Sequence, residues 1–447
     1  MKQLHFLLLY CLCSCIFVLA EENQKSLLPS YYEKILKSKI QNVKNADNGF
    51  VFFTDTHISA NNLQTSNIIE YLLKNTQVDK VIWGGDAISA FGSKEQMDEQ
   101  WKIQREMFQS IRAYGKLYLV RGNHDLTIRR SKETSERFSY SQDETFDMFC
   151  ESMEKDVVRN AEDPFGMYYY FDDLRNKIRY IVVESFSRTK IKKHRKGGFE
   201  KFSETQLDWI VNAALLTTPS GYGVVFVMHA PITDTTTGKD AEKFSDILNV
   251  INAASEKSYV LCNGKKYDFS LLKDVEILMV VAGHHHHDMQ TYQHGVLHVI
   301  TASDARYMDF KRDPFVLPKQ SRKKEKGQCV DVFYIDRTLD IIRTVRIGVG
   351  GNRVFHLKAV ELNVGESKII TTELEHAKKW YSYNASGNSF DKSGWTLKND
   401  IVSISKNGKA LGLREGSAVV LVQDENGNRE IYNVDVKPAA ETALPTR

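Results

Sequence analysis

Five short apolar runs in this chain each end in residues able to bind a metal ion. Phe52-Phe53 runs into Asp55 and His57, Ile82-Trp83 into Gly84-Gly85-Asp86, and Leu119-Val120 into Gly122-Asn123-His124-Asp125. Val227-Met228 leads to His229, and Val280-Val281 to Gly283, four consecutive histidines from His284 to His287, and Asp288. The groups are carboxylates, imidazoles and one amide, with no thiolate, a set that suits Mn, Fe or Zn better than a soft ion. Donors in this number are too many for one tetrahedral ion and suit two ions that share a bridging carboxylate. Two-metal sites about 3.5–4 Å apart activate water and stabilise both oxygens of an in-line displacement.

Taken singly, these residues have ordinary explanations. Asp55 or Asp86 alone reads as a loop or N-cap residue, Asn123 beside Gly122 as a turn, and His229 before Ala230-Pro231 as a satisfied core histidine. Their joint placement at five strand ends reverses that reading. In open α/β sheets the strand C-termini line up along one edge, and ligands bind in the crevice there. By contrast His298 inside VLHVI, His194 in a basic run, and His356 and His376 near the C-terminus read as structural.

The elements that must position the donors are legible as alternating patterns. GFVFF, DKVIWGG, KLYLVRG, RYIVVES, GVVFVMH and EILMVVAGH read as strands, separated by helical stretches such as KEQMDEQWKIQREMFQSIRAYG and SETQLDWIVNAALL. Strand alternating with helix predicts an α/β fold with mostly parallel strands. Tyr168–Tyr170 with Arg179–Val183, and Cys329–Ile347 around Asp336-Arg337, read as antiparallel hairpins. After Gly351 helical periodicity disappears, and Asn407-Gly408 and Asn426-Gly427 mark hairpins of a small β-sandwich.

At 447 residues the chain exceeds the size of one core, so two domains are expected. A net charge of +3 with 26% charged residues is that of an ordinary globular protein and gives no polyanion-binding habit by itself. Lys2, the apolar run HFLLLYCLCSCIFVLA and the small residue Ala20 read as a secretory leader over residues 1–20, with an uncleaved membrane anchor, or a lipid anchor on Cys15 that the apolar Ile16 to Leu19 disfavours, as the alternatives. Cys11, Cys13 and Cys15 fall in it, and the remaining Cys150, Cys262 and Cys329 form no disulfide framework. The basic tracts SRTKIKKHRK from Ser187 and KQSRKKEK from Lys319 read as solvated loops, or more sharply as a rim that draws in an anionic substrate.

The order DTH, GGD, GNHD, a lone His after a strand, and GHHH resembles the five motifs of the calcineurin-like metallophosphoesterases, over Gly49 to Gly348. The resemblance implies an αββα sandwich in which Asp55, His57 and His286 hold one metal, Asn123, His229 and His284 the other, and Asp86 bridges both. It further implies attack on phosphorus by a hydroxide between the ions, His124 protonating the leaving alkoxide, and Asp125 holding the His124 imidazole in its proton-donating form. Ser89 stands where the purple acid phosphatases carry tyrosine, and Asp125-Leu126 departs from the 5′-nucleotidase pattern, which leaves a resemblance to the broad secreted phosphoesterase and cyclic-nucleotide-phosphodiesterase-like group. From Trp395 the chain is similar to bacterial Ig-like group-two domains, spacer or adhesive modules of exported proteins.

The expected organisation is a leader over 1–20, an extension over 21–47, a phosphoesterase domain over 48–350, an all-β Ig-like sandwich over 355–438 and a tail over 439–447. The expected activity is hydrolysis of a small phosphate mono- or diester outside the cytoplasm, secreted, periplasmic or at the cell surface, with no firm nucleic-acid partner. The rival readings are an inactive surface protein that contacts glycans or cells through the Ig-like domain, and a nuclease. Within the histidine run, Gly283 would allow a sharp turn that points His284 and His286 inward. Extended alternation would then turn His285 away and leave His287 at the rim, against substrate or paired with Asp288.

Overall fold

The computed structural model describes residues 30–41, 48–58, 62–89, 93–126, 140–150, 152–186, 202–232, 241–304, 315, 328–391 and 394–439. The leader, both basic tracts and His194 lie outside the described residues. Cys262 and Cys329 are buried free thiols.

Strand β1 (Gly49–Phe53) shows how the layers arise from sequence. Its pattern GFVFF is buried on both faces. Val51 and Phe53 join one core with the helices, while Phe50 and Phe52 join another between two sheets. β1 pairs in parallel with β2 (Lys80–Trp83), which pairs in parallel with β3 (Lys116–Leu119). The helix Lys94–Arg112 between them starts at a capping box, Ser93 with Gln96, and buries Met97, Trp101, Gln104, Met107, Phe108 and Ile111 along one face.

The second sheet carries β4 (Val158–Arg159), β5 (Tyr169–Asp173), β6 (Ile178–Val183), β7 (Gly223–Met228), β8 and β9 excluded, then β10 (Glu276–Ala282), β11 (Met289–Gln293) and β12 (Val296–Ile300). β8 (Tyr259–Cys262) and β9 (Lys265–Asp268) form a separate hairpin. β6, β7, β10 and β12 are mutually parallel neighbours, and the expected β5–β6 hairpin closes one side. Helices over Glu204–Trp209 and Ala241–Glu256, the first continued by a π-helical turn over Ile210–Leu215, cover its outer face. The layers therefore run helix, sheet, sheet, helix, an α/β sandwich as expected.

The C-terminal strands extend the first sheet. β13 (Cys329–Asp336) pairs antiparallel with β1 and forms the expected hairpin with β14 (Ile341–Gly348). β15 (Arg353–Asn363) then pairs with β14 through Arg353 to His356, and also runs parallel to β23 (Arg429–Lys437). β22 (Gly416–Asp424) and β17 (Ala377–Asn384) complete a nine-stranded sheet. Facing them is a small layer of β16 (Ser367–Ile369), β21 (Lys409–Gly412) and β20 (Val402–Ile404), over a core that includes Leu362, Val402, Val420 and Val434. A last hairpin joins β18 (Ser389–Asp391) to β19 (Gly394–Thr396). The expected break near residue 350 is thus a tight reversal, with Gly348 and Gly350 both at φ +102, inside one continuous sheet. Asn-Gly turns occur at Asn407-Gly408 and Asn426-Gly427, with both glycines at positive φ.

Candidate metal centre

The donors come from both sheets. Asp55, Asp86 and Asn123 follow β1, β2 and β3, whereas His229, His284 and His286 follow β7 and β10. The crevice at one sheet's edge, expected from the strand pattern, is in fact the shared end of two facing sheets. The buried pair Arg121–Glu184 bridges the two just behind it.

Asp55, His57 and His286 place ligand atoms together, as do Asp86, His229 and His284, and His57, Asp86 and His124 form a third group. His286 Nε2 lies 3.2 Å from Asp55 Oδ1 and 3.1 Å from His57 Nε2. His229 Nε2 lies 3.3 Å from Asp86 Oδ2 and 3.3 Å from His284 Nδ1. Asp86 Oδ2 also stands 3.8 Å from His57 Nε2, so this one oxygen faces both groups. Asn123 opens a single helical turn, Asn123–Leu126, directly after β3.

Ring orientation is set from behind. His229 Nδ1–H donates to the Gly84 carbonyl at 2.7 Å, and His57 Nδ1–H to the Ile88 carbonyl at 3.3 Å, which aims each Nε2 lone pair inward. Asp55 Oδ2 accepts from Thr54 Oγ1 at 2.8 Å and from the His284 amide at 2.9 Å. Its Oδ1 is buried with no hydrogen-bond partner, among imidazole nitrogens. A buried carboxylate oxygen left in that condition is costly unless a cation completes it, and the donor set suits one.

Protonation agrees with this. Burial lowers His57 to about 4 against the pull of Asp86 and Asp55, and lowers His284 to about 3 with help from His229. Both are therefore neutral ligands near neutral pH. Burial alone would raise Asp55 and Asp86, but His229 and its neighbours hold both below the usual carboxylate range. His229 and His286 are the exceptions: Asp86 and Asp55 outweigh burial and raise His229 to about 10, and Asp55 outweighs burial at His286 and raises it too, so without a cation these two imidazoles carry protons toward the carboxylates.

Four expectations need correction. Asp125 does not hold the His124 ring, because its carboxylate accepts the amides of Gly122, Ala87 and Asp86 at 2.7, 2.8 and 3.0 Å. The His124 Nδ1–H donates instead to the Ser89 carbonyl at 2.8 Å, a role that a backbone atom hides from sequence reading. Gly283 is required by space and not by a turn: a Cβ there would collide with Thr54 and with Asp55 Oδ2. The alternation in the histidine run comes from left-handed conformers at His284 (φ 67) and His286 (φ 61), not from an extended strand. His287 is buried rather than at the rim and does not pair with Asp288, whose carboxylate is held by Arg346 and Arg353. Phe186, also unforeseen, lines the His229–His284 side with ring centroids 5.7 and 5.8 Å away. His298 is buried in β12 and lowered to about 3 by burial, consistent with a structural residue.

A sequence model of the calcineurin-like phosphoesterases matches residues 49–288, and the chain belongs to that family. It is a metal-dependent phosphoesterase. Similar solved structures include a dimetal phosphatase from Danio rerio, 12% identical, with TM-score 0.47 over 69% of this chain and 99% of that one. A phosphopantetheinyl hydrolase from Mycobacterium tuberculosis is 14% identical, with TM-score 0.31 over 61% of this chain and 97% of the other. A putative 5′-nucleotidase from Staphylococcus aureus is 12% identical, with TM-score 0.36 over 68% of this chain and 53% of the other. No curated protein matches the chain at a significant level.

Proposed function

We propose that this protein is an exported hydrolase of small phosphate mono- or diesters that uses two Mn, Fe or Zn ions. Asp55, His57 and His286 would hold one ion, Asn123, His229 and His284 the other, and Asp86 would lie between. The observation that carries the reading is the orphaned Asp55 Oδ1 within a cluster whose two donor groups share Asp86 Oδ2. When bound, such ions polarise the phosphoryl group and make water nucleophilic near neutral pH. The residues do the rest by position. Ser89 fixes the His124 ring through Nδ1, which directs Nε2 toward the centre, 3.9 Å from Asp86 Oδ2. A proton on that Nε2 is placed to reach the leaving alkoxide, the step a phosphate ester most needs from a side chain. Export rests on Lys2 and the apolar run that ends at Ala20, and an Ig-like character for 355–438 rests on the two facing β-layers and the Asn-Gly hairpins.

The test is hydrolysis by the full chain loaded with Mn or Zn. An aryl phosphate or its diester should be cleaved, and His124→Ala should lower turnover about 100-fold or more with metal content retained. A metal-replete sample silent on both esters, and on nucleotide and lipid phosphates, would sink the proposal.

A further inference from the structure

The histidine run is followed by residues gripped one after another by the C-terminal strands. Trp395 Nε1–H donates to His287 Nε2. Asp288 is held by Arg346 at 2.7 Å and by Arg353 at 3.3 Å. The same two arginines hold Asp331, each at 2.7 Å. Gln290 exchanges hydrogen bonds with the Tyr383 hydroxyl at 3.0 and 2.7 Å. Thr291 Oγ1 donates to the Ala385 carbonyl at 2.6 Å. These contacts come in addition to the pairing of β10 with β7 and β12 on its two sides.

We propose that the C-terminal β-layers are a working part of the catalytic centre, with Trp395 a positioning residue that acts through His287 on the His284–His286 loop. This rests on the reading of that loop as metal-binding. The chemistry of His287 makes the link directional. Its Nδ1–H donates to the His285 carbonyl at 2.7 Å, closing a small ring around His286. A neutral imidazole that donates at Nδ1 must accept at Nε2, and the indole N–H of Trp395 can only donate. Each bond therefore fixes the other, and the ring fixes where His286 stands, 3.2 Å from Asp55 Oδ1. Thus a residue of the β18–β19 hairpin, more than a hundred positions downstream of His286, sets the geometry of a proposed ligand.

The test uses the full chain, stripped with chelator and titrated with Co2+, in wild type, Trp395→Phe, His287→Phe and the double variant. Trp380→Phe, in β17, is the control for loss of an indole in the same layers. Trp395→Phe keeps a ring and loses the donor. It should weaken Co2+ binding about tenfold, shift the visible Co2+ absorption and lower kcat on an aryl phosphate with KM unchanged. The double variant should be no worse than His287→Phe, since one path carries both effects. Trp395→Phe with wild-type Co2+ affinity and spectrum, or the same loss in Trp380→Phe, would overturn the proposal while leaving the metal site standing. Wild-type protein that binds no Co2+ would overturn the metal reading and this inference together. Should His287→Phe fail to fold, the milder Trp395→Phe comparison decides alone.

Discussion

Five of the seven proposed ligands sit in the left-handed region: Asp55, His57, Asp86, His284 and His286, at φ between 46 and 67. Such conformers cost about 1–3 kcal/mol each in a non-glycine residue and persist where the surroundings enforce them. The residue types were readable from the sequence because Asp, Asn and His after an apolar strand are distinctive. The backbone strain was not, since the contacts on these residues are long-range in sequence: the Asp55 amide donates to the Gly85 carbonyl, the His57 amide to the Asp86 carbonyl, and the His284 amide to Asp55 Oδ2. His284→Ala and His286→Ala should each lose bound metal by elemental analysis, while His285→Ala keeps it. His286→Gly should lose metal as well, yet unfold in urea with about 1 kcal/mol more stability than His286→Ala, because glycine accepts the positive φ. Gly283→Ala should cost about 1–3 kcal/mol and impair metal binding, as overpacking against a ligand does.

Strand and helix alternation was legible because each run carries its own period, as the two hairpins β5–β6 and β13–β14 illustrate. What periodicity does not encode is which sheet a strand joins. β1 and β10 both read as apolar runs that end in ligands, yet they stand in different sheets, and the site is the meeting of their ends. Asp125 shows the same limit. Its place after Asn123-His124 suggests a partner for the imidazole, whereas the one-turn helix points its carboxylate at the amides that follow β2 and β3. Asp125→Asn should therefore lower stability by about 1–3 kcal/mol, measured by urea unfolding. Turnover of the folded variant should fall far less than in His124→Ala; a loss as large as that variant's would restore the direct contact.

Across the whole molecule, chain length and the loss of helical periodicity after Gly351 pointed to a second, all-β region but not to its attachment. The reason is that β15 hydrogen-bonds to β14 and β23 at once, so backbone pairing crosses the expected boundary without a linker. A chain ended after Gly350 would strip Arg353 from Asp288 and Asp331 and leave Gln290 and Thr291 without Tyr383 and Ala385. It should lack a cooperative thermal transition by circular dichroism; a folded, active truncated chain would make the C-terminal layers a mere appendage. On the proposed reading two ions, and not one, make the catalyst. Its most direct test is titration of chelated full-length protein with Mn2+, followed by electron paramagnetic resonance and by aryl phosphate turnover in the same samples. Two ions per chain with magnetic coupling, as expected for a pair about 3.5–4 Å apart, and turnover that rises with the second equivalent, are the predicted result. A single uncoupled ion at saturation, or full turnover in its absence, would contradict it.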